Sequence, residues 1–542
     1  MDHLQPNPPT GFFINPKELK YVKHLGYLHN RGDYTTQPIS CDATQVNSYW
    51  QKYDPTVYSK VPVGMSHGYI KSTWTAIKNQ FMLFDHPPMD EEFPHSAIDW
   101  AEDQIVQHLE ENEVESSIIE LEQVEFTFMS SSGFYWNKLG NKGEILTKYR
   151  SKIDYFMDNA VRDQLVPLWK LSGKEEYQKF EKINEEDQRC FEIPPVDLLS
   201  LAHCYTQSFN KQLYTIHENS FVKVGISFDR GGFNNLLEKV GSLKRYYGMG
   251  DCRKFDKWLL SQLLMHCMSI RLRLYKGPDK EKYRQHLLYL YQQAINTPII
   301  TPWGQVLMVI NYMKSGYWST TPDNTLSHFM IVLGYIKTYF PGVQNFYDCR
   351  KLMEFALYSD DHLFAAVEGR AGRILTDFAN RRSFYAKCGL HLKEEDDYIK
   401  YDGDWEGITF LGAKAIKTVG GYAPQYNIHR IWSAIVYDNF KTRKPYELYS
   451  KVYSLLVLST FNGDEQFNHI RNYLKFLVKY FNKTLGPGEW YPLRGVERLA
   501  MIDQSTTAKS MQVIPDIEWC RKFWMGYEAG GLLTPSSERE KY

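Results

Sequence analysis

The chain has 542 residues, with 63 Lys and Arg against 64 Asp and Glu and 43% hydrophobic content. A formal net charge of −1 excludes a protein that coats nucleic acid through evenly spread positive surface, but allows an enzyme whose basic residues gather in a channel. At 63.7 kDa the chain exceeds one ordinary core, so several subdomains around a shared cleft are expected.

Aromatic residues make up 15% of the chain, mostly to fill cores, with some available to stack on bases. The start, MDHLQPNPPTGFF, is proline-rich, reads as extended and lacks an apolar signal core. No window is long and apolar enough to span a bilayer. The 8 Cys form no C-x-x-C pair, and His203-Cys204 reads as an ordinary buried pair. Reduced thiols in a cytosolic protein are therefore expected. In that compartment the Asn482-Lys-Thr484 sequon has no meaning.

In chain order, helical patterns fall near 97–125 and 145–180. No Lys or Arg occurs between Lys78 and Lys138, and this acidic stretch reads as a solvated helix face. Arg245–Gly250 reads as a strand ending at Asp251, followed by a helical pattern through Phe255, Leu259, Leu260, Leu263, Leu264 and Cys267. A second helix runs from about Asn324 through Ile336 and stops at Pro341-Gly342. Glu354–Phe364 reads as two short strands joined at Ser359-Asp360. A third helix covers about Ala371–Lys387 and ends at Gly389. Ile408–Ala413 reads as a short strand, and the chain is mainly helical from about Asn427, including Leu455–Thr460 and Ile470–Phe481.

Three constellations carry chemistry. Asp251 and Asp256 follow a strand, and a carboxylate placed there can hold a hard divalent cation; the spacing alone is weak. Tyr358-Ser359-Asp360-Asp361-His362 would display two carboxylates on a tight turn. Clustered carboxylates raise one another's pKa unless a cation neutralises them. The bland alternative is a polar hairpin turn. Asp396-Asp397 sits in a charged loop after Glu394-Glu395 and is given no metal role. In the third constellation, Ser315-Gly316 leads through Thr320 to Asn324, a small-residue loop opening a helix. Gly316 would let backbone approach a template or nucleotide closely, and Thr320 and Asn324 lie about one helical turn apart. Taken alone, this reads as an N-capped helix with a flexible lead-in. Order and spacing together match two-metal nucleotidyl transfer, in which ions roughly 3.5–4 Å apart serve both the attacking and leaving oxygens. Asp251 and Asp360 are the best ligands, with Asp361 assisting.

As a set, these residues resemble the motifs of positive-strand viral RNA-dependent RNA polymerases, most closely the picornavirus-like and astrovirus-like group. The resemblance covers about 130 to 415 and implies motif A at Asp251–Asp256, motif B at Ser315–Asn324 and motif C at Tyr358–Asp361. It implies an α+β right-hand fold: fingers over 1–244, a palm with an antiparallel sheet over 245–415 (with a fingers insertion near 276–312) and a helical thumb over 416–542. Arg189 to Asp197 resembles motif F, with Arg189 as the nucleotide-channel cation, although Glu185, Glu186 and Asp187 equally suit a surface salt bridge. Lys179 and Lys182 are weaker candidates for the same channel. Ser132 and Gly133 resemble motif G beside the RNA template, and Phe410-Leu411-Gly412 the motif E strand near the primer end. Lys393 fits the motif D general acid, though its KEEDD surroundings also suit a solvated loop. Ser359 departs from the usual Gly and is expected to be tolerated.

Reverse transcriptases also carry Tyr-x-Asp-Asp, but usually place an aromatic steric gate where this chain has Asp256. Asp256, Asn324 and Thr320 instead suit hydrogen bonding around a ribose 2′-hydroxyl. A noncatalytic RNA-binding scaffold on a polymerase-like fold is the other alternative, and loss of a metal ligand would be its mark. The resemblance further implies Mg²⁺ (or Mn²⁺) as cofactor. Its implied partners are RNA template and nascent strand, ribonucleoside triphosphates, a protein primer and other viral replication proteins. Its implied location is a membrane-associated replication complex in host cytoplasm.

Overall fold

The computed structural model describes residues 13–28, 46–53, 61, 63–69, 72–86, 92–242, 244–437, 444–486, 490 and 514–526. Residues 1–12 of the proline-rich start lie outside these. The fold is mixed α+β, and two sheets position the site. A four-stranded antiparallel sheet is formed by β1 (Tyr246–Gly250), β2 (Met353–Tyr358), β3 (Asp361–Ala366) and β4 (Tyr398–Lys400), in the spatial order β2-β3-β1-β4. Side chains on β3 alternate between its faces. Phe364 and Ala366 join a core running from Ile14 to Leu392, whereas Leu363 and Ala365 join a second core with the C-terminal helices. Both faces are covered, so β2 and β3 read as nearly continuous apolar runs.

The second sheet has five strands in the order Lys23–Tyr27, Gln305–Val309, Thr297–Ile300, Trp169–Gly173 and Cys190–Ile193. The segment near 276–312 thus gives one helix, Lys280–Ile295, and two strands that complete a sheet begun by the N-terminal half. The second core gathers helices Ile428–Val436, Pro445–Leu458, Asp464–Leu485 and Ile517–Met525. It also takes in helix Gly232–Gly241 and Trp50, so residues on both sides of the chain's midpoint share it.

Several elements depart from the sequence expectation. The acidic stretch forms helix α1, His95–Glu111, which stops well short of 125. It is not simply solvated: buried Glu102 accepts from Ser269 and pairs with His266 (both 2.5 Å) and with Arg273 (3.1 Å). Beyond residue 145, two short helices, Lys142–Lys148 and Arg150–Asn159, give way to the strand Trp169–Gly173. Helix Val196–Leu213 lies outside the expected patterns because polar Ser200, Thr206 and Asn210 sit among its buried residues and blur the apolar period. The pattern after Phe255 breaks at extended Leu259 and Leu260, and only then does α2, Ser261–Arg273, begin. The third expected helix is two, Arg370–Thr376 and Phe378–Lys387, because Asp377 caps the second by accepting from the Asn380 amide. Ile408–Ala413 is a hairpin: Leu411 and Gly412 turn through positive φ (50° and 75°) between strands Thr409–Phe410 and Ala413–Thr418.

Helix α3, Thr320–Tyr339, is the central strut. It begins one turn earlier than expected, since Pro322 in the first turn forfeits only an amide that has no intrahelical partner there. Pro322 through Ile336 are buried without interruption. Its first turn is held by a fully buried ionic knot: Arg271 on α2 donates to Asp323 (2.6 Å) and to Asn210 (2.8 Å). Tyr291 and Tyr317 donate to the other Asp323 oxygen (2.8 and 3.0 Å). Arg271→Met would strand that carboxylate without its cation. A loss of about 3–5 kcal/mol is expected in denaturant titration, partly recovered when Asp323→Leu is added. A single-variant loss near zero would show that the knot does not hold the helix.

Candidate active site

The pairing of β1 with β3 brings the acidic residues together. Met249 lies opposite Leu363 and Gly250 opposite His362, so Asp251 leaves β1 at the end where Asp361 begins β3. Tyr358 and Asp361 close the β2–β3 hairpin, with Ser359 and Asp360 as its turn. The sheet end opens into a cleft of about 1850 Å³ whose lining includes Asp251, Asp256, Asp360, Ser315, Thr320, Ser359, Arg189 and Lys393.

Burial, then the neighbouring charges of Asp256 and Asp251, push the Asp360 carboxyl up to about 6. Burial does most of the work of pushing Asp361 up to about 7, against the Leu411 amide, which donates to it (2.8 Å). Asp361 is thereby tied to the hairpin at 411 and is absent from the cleft lining. Asp251 accepts from the Cys252 amide (2.8 Å) and forms an ion pair with Lys393. Lys393 is held there by a short pairing of Cys252 and Arg253 with Leu392 and His391, and its own amide donates to the Asp251 carbonyl (2.9 Å). Burial lowers the Lys393 ammonium, but Asp251 outweighs it and the net shift is upward. Among the described residues no three His, Cys, Asp or Glu side chains form a ready cation cluster. The carboxylate oxygens of Asp251 and Asp360 on the cleft wall are the donor type that a hard divalent ion takes.

Asp396 pairs with Lys393 (3.3 Å), and Asp397, in the same loop, accepts at both carboxylate oxygens from Nη2 of buried Arg381 (2.7 and 2.8 Å).

The loop before α3 is strapped from below. The Ser315 amide donates to buried Glu192 (3.0 Å), which also pairs with buried Lys257 (3.2 Å). A Cβ on Gly316 would meet the Glu192 carbonyl oxygen at 1.8 Å. Glycine is therefore required by the strand Cys190–Ile193, not only by any RNA above it. Thr320 lines the cleft while donating to the Tyr317 carbonyl (2.8 Å).

Asn324 is fully buried and does not line the cleft; it reaches the cleft through Asp256, to which its amide donates at 2.5 Å. The same nitrogen donates to Ser359 Oγ (3.0 Å). Neither Glu192, Lys257 nor Ser359 was singled out as a positioning group from sequence. The one available signal was charge inside an apolar run, at Glu192.

Arg189 is exposed on the cleft wall and makes a bidentate pair with Glu176 (2.5 and 2.6 Å), not with Glu185, Glu186 or Asp187. Asp187 pairs instead with Lys254 (3.3 Å). Lys179 and Lys182 line the same wall. The residues expected at RNA fare differently. Ser132 is fully buried and donates to the Gly140 carbonyl (2.6 Å), and Gly133 is buried against Pro194 and Pro195. Phe410 is buried in the second core. None of the three has surface for a nucleic acid, whereas the neighbouring Ser131 lines the cleft.

Among the described residues no helix is long and apolar enough to cross a membrane. Part of the chain is similar to the genome polyprotein of Blackberry virus Y, with 29% identity over 346 residues (63% of this chain, 9% of the polyprotein). It is also similar to the genome polyprotein of Watermelon mosaic virus II, with 25% identity over 381 residues (68% and 35%). Genome polyprotein 1 of Barley mild mosaic virus matches at 25% over 446 residues (79% and 19%). The chain thus spans about a third or less of each of these relatives. Residues 112–479, more than half of the chain, match the family described as viral RNA-dependent RNA polymerase, and the chain belongs to that family.

Proposed function

We propose that this chain carries out template-directed RNA synthesis from ribonucleoside triphosphates, as the replicase of a picornavirus-like positive-strand RNA virus. The supporting observation is the β1–β3 register, which delivers Asp251 and Asp360 from segments about a hundred positions apart to one cleft that Arg189, Lys179, Lys182 and Lys393 also line. On this reading the four-stranded sheet is the palm, the N-terminal half with the 276–312 segment forms the fingers, and the helices after Ile428 form the thumb.

Asp251 and Asp360 would hold Mg²⁺, or Mn²⁺ in its place, with Asp361 assisting from the hairpin side. The bound ions supply activation of the primer hydroxyl and charge neutralisation of the leaving pyrophosphate. Everything else is positioning. Arg189, turned from Glu176, offers a planar fork to the incoming triphosphate. Lys393 carries the proton that a departing pyrophosphate requires, and its present partner Asp251 keeps it charged. Asp256 faces the cleft as an acceptor for a ribose 2′-hydroxyl, oriented by Asn324 behind it. The partners that follow are an RNA template with its nascent strand, a protein primer and further viral replication proteins, in a membrane-associated complex of the host cytoplasm.

Purified protein with an RNA template, primer, labelled nucleotide and Mg²⁺ tests this directly. Asp360→Ala should lower incorporation by about a thousandfold, equivalent to several kcal/mol of lost transition-state stabilisation, while RNA binding persists. Turnover near wild type in that variant would remove the metal assignment. A wild-type protein that binds RNA and incorporates nothing would be the scaffold instead. Asn324→Ala should narrow the preference for ribonucleotides over deoxyribonucleotides by about tenfold, the scale of a hydrogen bond to a charged group. Undiminished discrimination in single-nucleotide kinetics would detach Asn324 from sugar selection.

A further inference from the structure

Ser359 stands in a backbone conformation that suits glycine, with φ of 58°, at the turn beside Asp360. A serine there is strained relative to glycine. Helix α3 grips this one residue three times. Thr325 Oγ1 accepts from the Ser359 amide (2.9 Å), His328 Nδ1 donates to the Ser359 carbonyl (2.9 Å), and Asn324 Nδ2 donates to Ser359 Oγ (3.0 Å). Burial drives His328 down to about 4, so its ring is neutral; with Nδ1 donating, Nε2 is left to accept from Tyr385 (2.7 Å). Glycine would satisfy the first two grips equally well. Only the third needs a side chain.

That third bond settles the state of Asn324. A carboxylate only accepts, so the amide must present its nitrogen to Asp256. Nδ2 has two hydrogens, and Asp256 and Ser359 Oγ account for both. Among the described residues the buried amide oxygen Oδ1 has no hydrogen-bond partner. Without the serine hydroxyl, one buried amide hydrogen loses its acceptor and the amide plane is held at a single point. Asp256, which lines the cleft as Ser359 does, then loses the fixed donor behind it.

Resting on the RNA-synthesis reading above, we propose that Ser359 is a positioning residue for sugar selection: its hydroxyl fixes Asn324, which aims Asp256 at the ribose 2′-hydroxyl of the incoming nucleotide. The strained serine is retained for selectivity, and glycine would be the more comfortable residue in the turn.

The test is the ratio of kcat/KM for ATP over dATP on one RNA template, in wild type, Ser359→Gly, Ser359→Ala, Asn324→Ala and the Ser359→Gly/Asn324→Ala double variant. Equilibrium binding of ATP and dATP is measured in parallel. Ser359→Gly and Ser359→Ala should each lower the ratio by about twofold to tenfold, the worth of one hydrogen bond, with Gly giving the higher thermal midpoint. In the Asn324→Ala background the same glycine substitution should change the ratio no further. An unchanged ratio in both single variants overturns the proposal, as does a fall that persists undiminished without Asn324. A purely structural role would slow both nucleotides alike and leave the ratio where it was, which also overturns it. Should wild type bind ATP over dATP in a Ser359-dependent way yet incorporate neither, the sugar-selection proposal stands and RNA synthesis falls. If the binding ratio is also indifferent to Ser359, the proposal falls with it.

Discussion

The site depends on one antiparallel pairing. Because β1 and β3 meet with Gly250 opposite His362, the carboxylates that follow and precede those residues share one end of the sheet. A slip of one residue would turn every side chain of β3 to the other face, moving Phe364 out of the main core and Leu363 out of the second. The hydrophobic demand of two cores thus fixes the register, and the register places the charges. Apolar packing on both faces pins the strands that carry the half-buried Asp360 and Asp361.

Beneath the cleft, polar groups are buried in bonded sets. Arg271 and Asp323 lock the start of α3 to α2, and Glu192 and Lys257 tie the strand after Arg189 to the loop at Ser315. Asn324, Thr325 and His328 then hold the turn at Ser359. Each set joins segments remote in sequence. A half-satisfied buried network is costly, so these links favour one arrangement of the cleft over slightly displaced ones. The cleft wall itself is built differently, with half-exposed pairs such as Arg189–Glu176 that solvent weakens and a polyanion can replace.

The sequence made the chemistry more legible than the scaffold. Asp251, Asp256, Asp360 and the Ser315–Asn324 loop could be read because polar and small residues recur at fixed spacing, and the cleft gathers Asp251, Asp256, Asp360, Ser315 and Thr320. The β2–β3 hairpin was legible for the same reason. Helix Val196–Leu213 was not, because polar Ser200, Thr206 and Asn210 fall among its buried residues and blur the 3.6-residue period. Helix breaks at Leu259 and Asp377 are set by local capping and tertiary pairing, which spacing alone does not reveal. The misplaced roles of Ser132, Gly133 and Phe410 have a common cause: they lie in segments beside the cleft, and only the fold says which neighbour faces it. Asn324 is the subtler case. It is buried behind Asp256, to which it donates, and its second bond to Ser359 joins positions 35 apart.

Electron paramagnetic resonance of Mn²⁺ titrated into the protein, with RNA and a nonhydrolysable nucleotide present, addresses the gathering of carboxylates most directly. Wild type should bind Mn²⁺ at protein stoichiometry or above, and Asp251→Asn and Asp360→Asn should each weaken the same signal, since the two segments would grip common ions. Mn²⁺ binding that neither substitution alters would mean that the two acidic strand ends, although neighbours on one sheet, do not form a metal site.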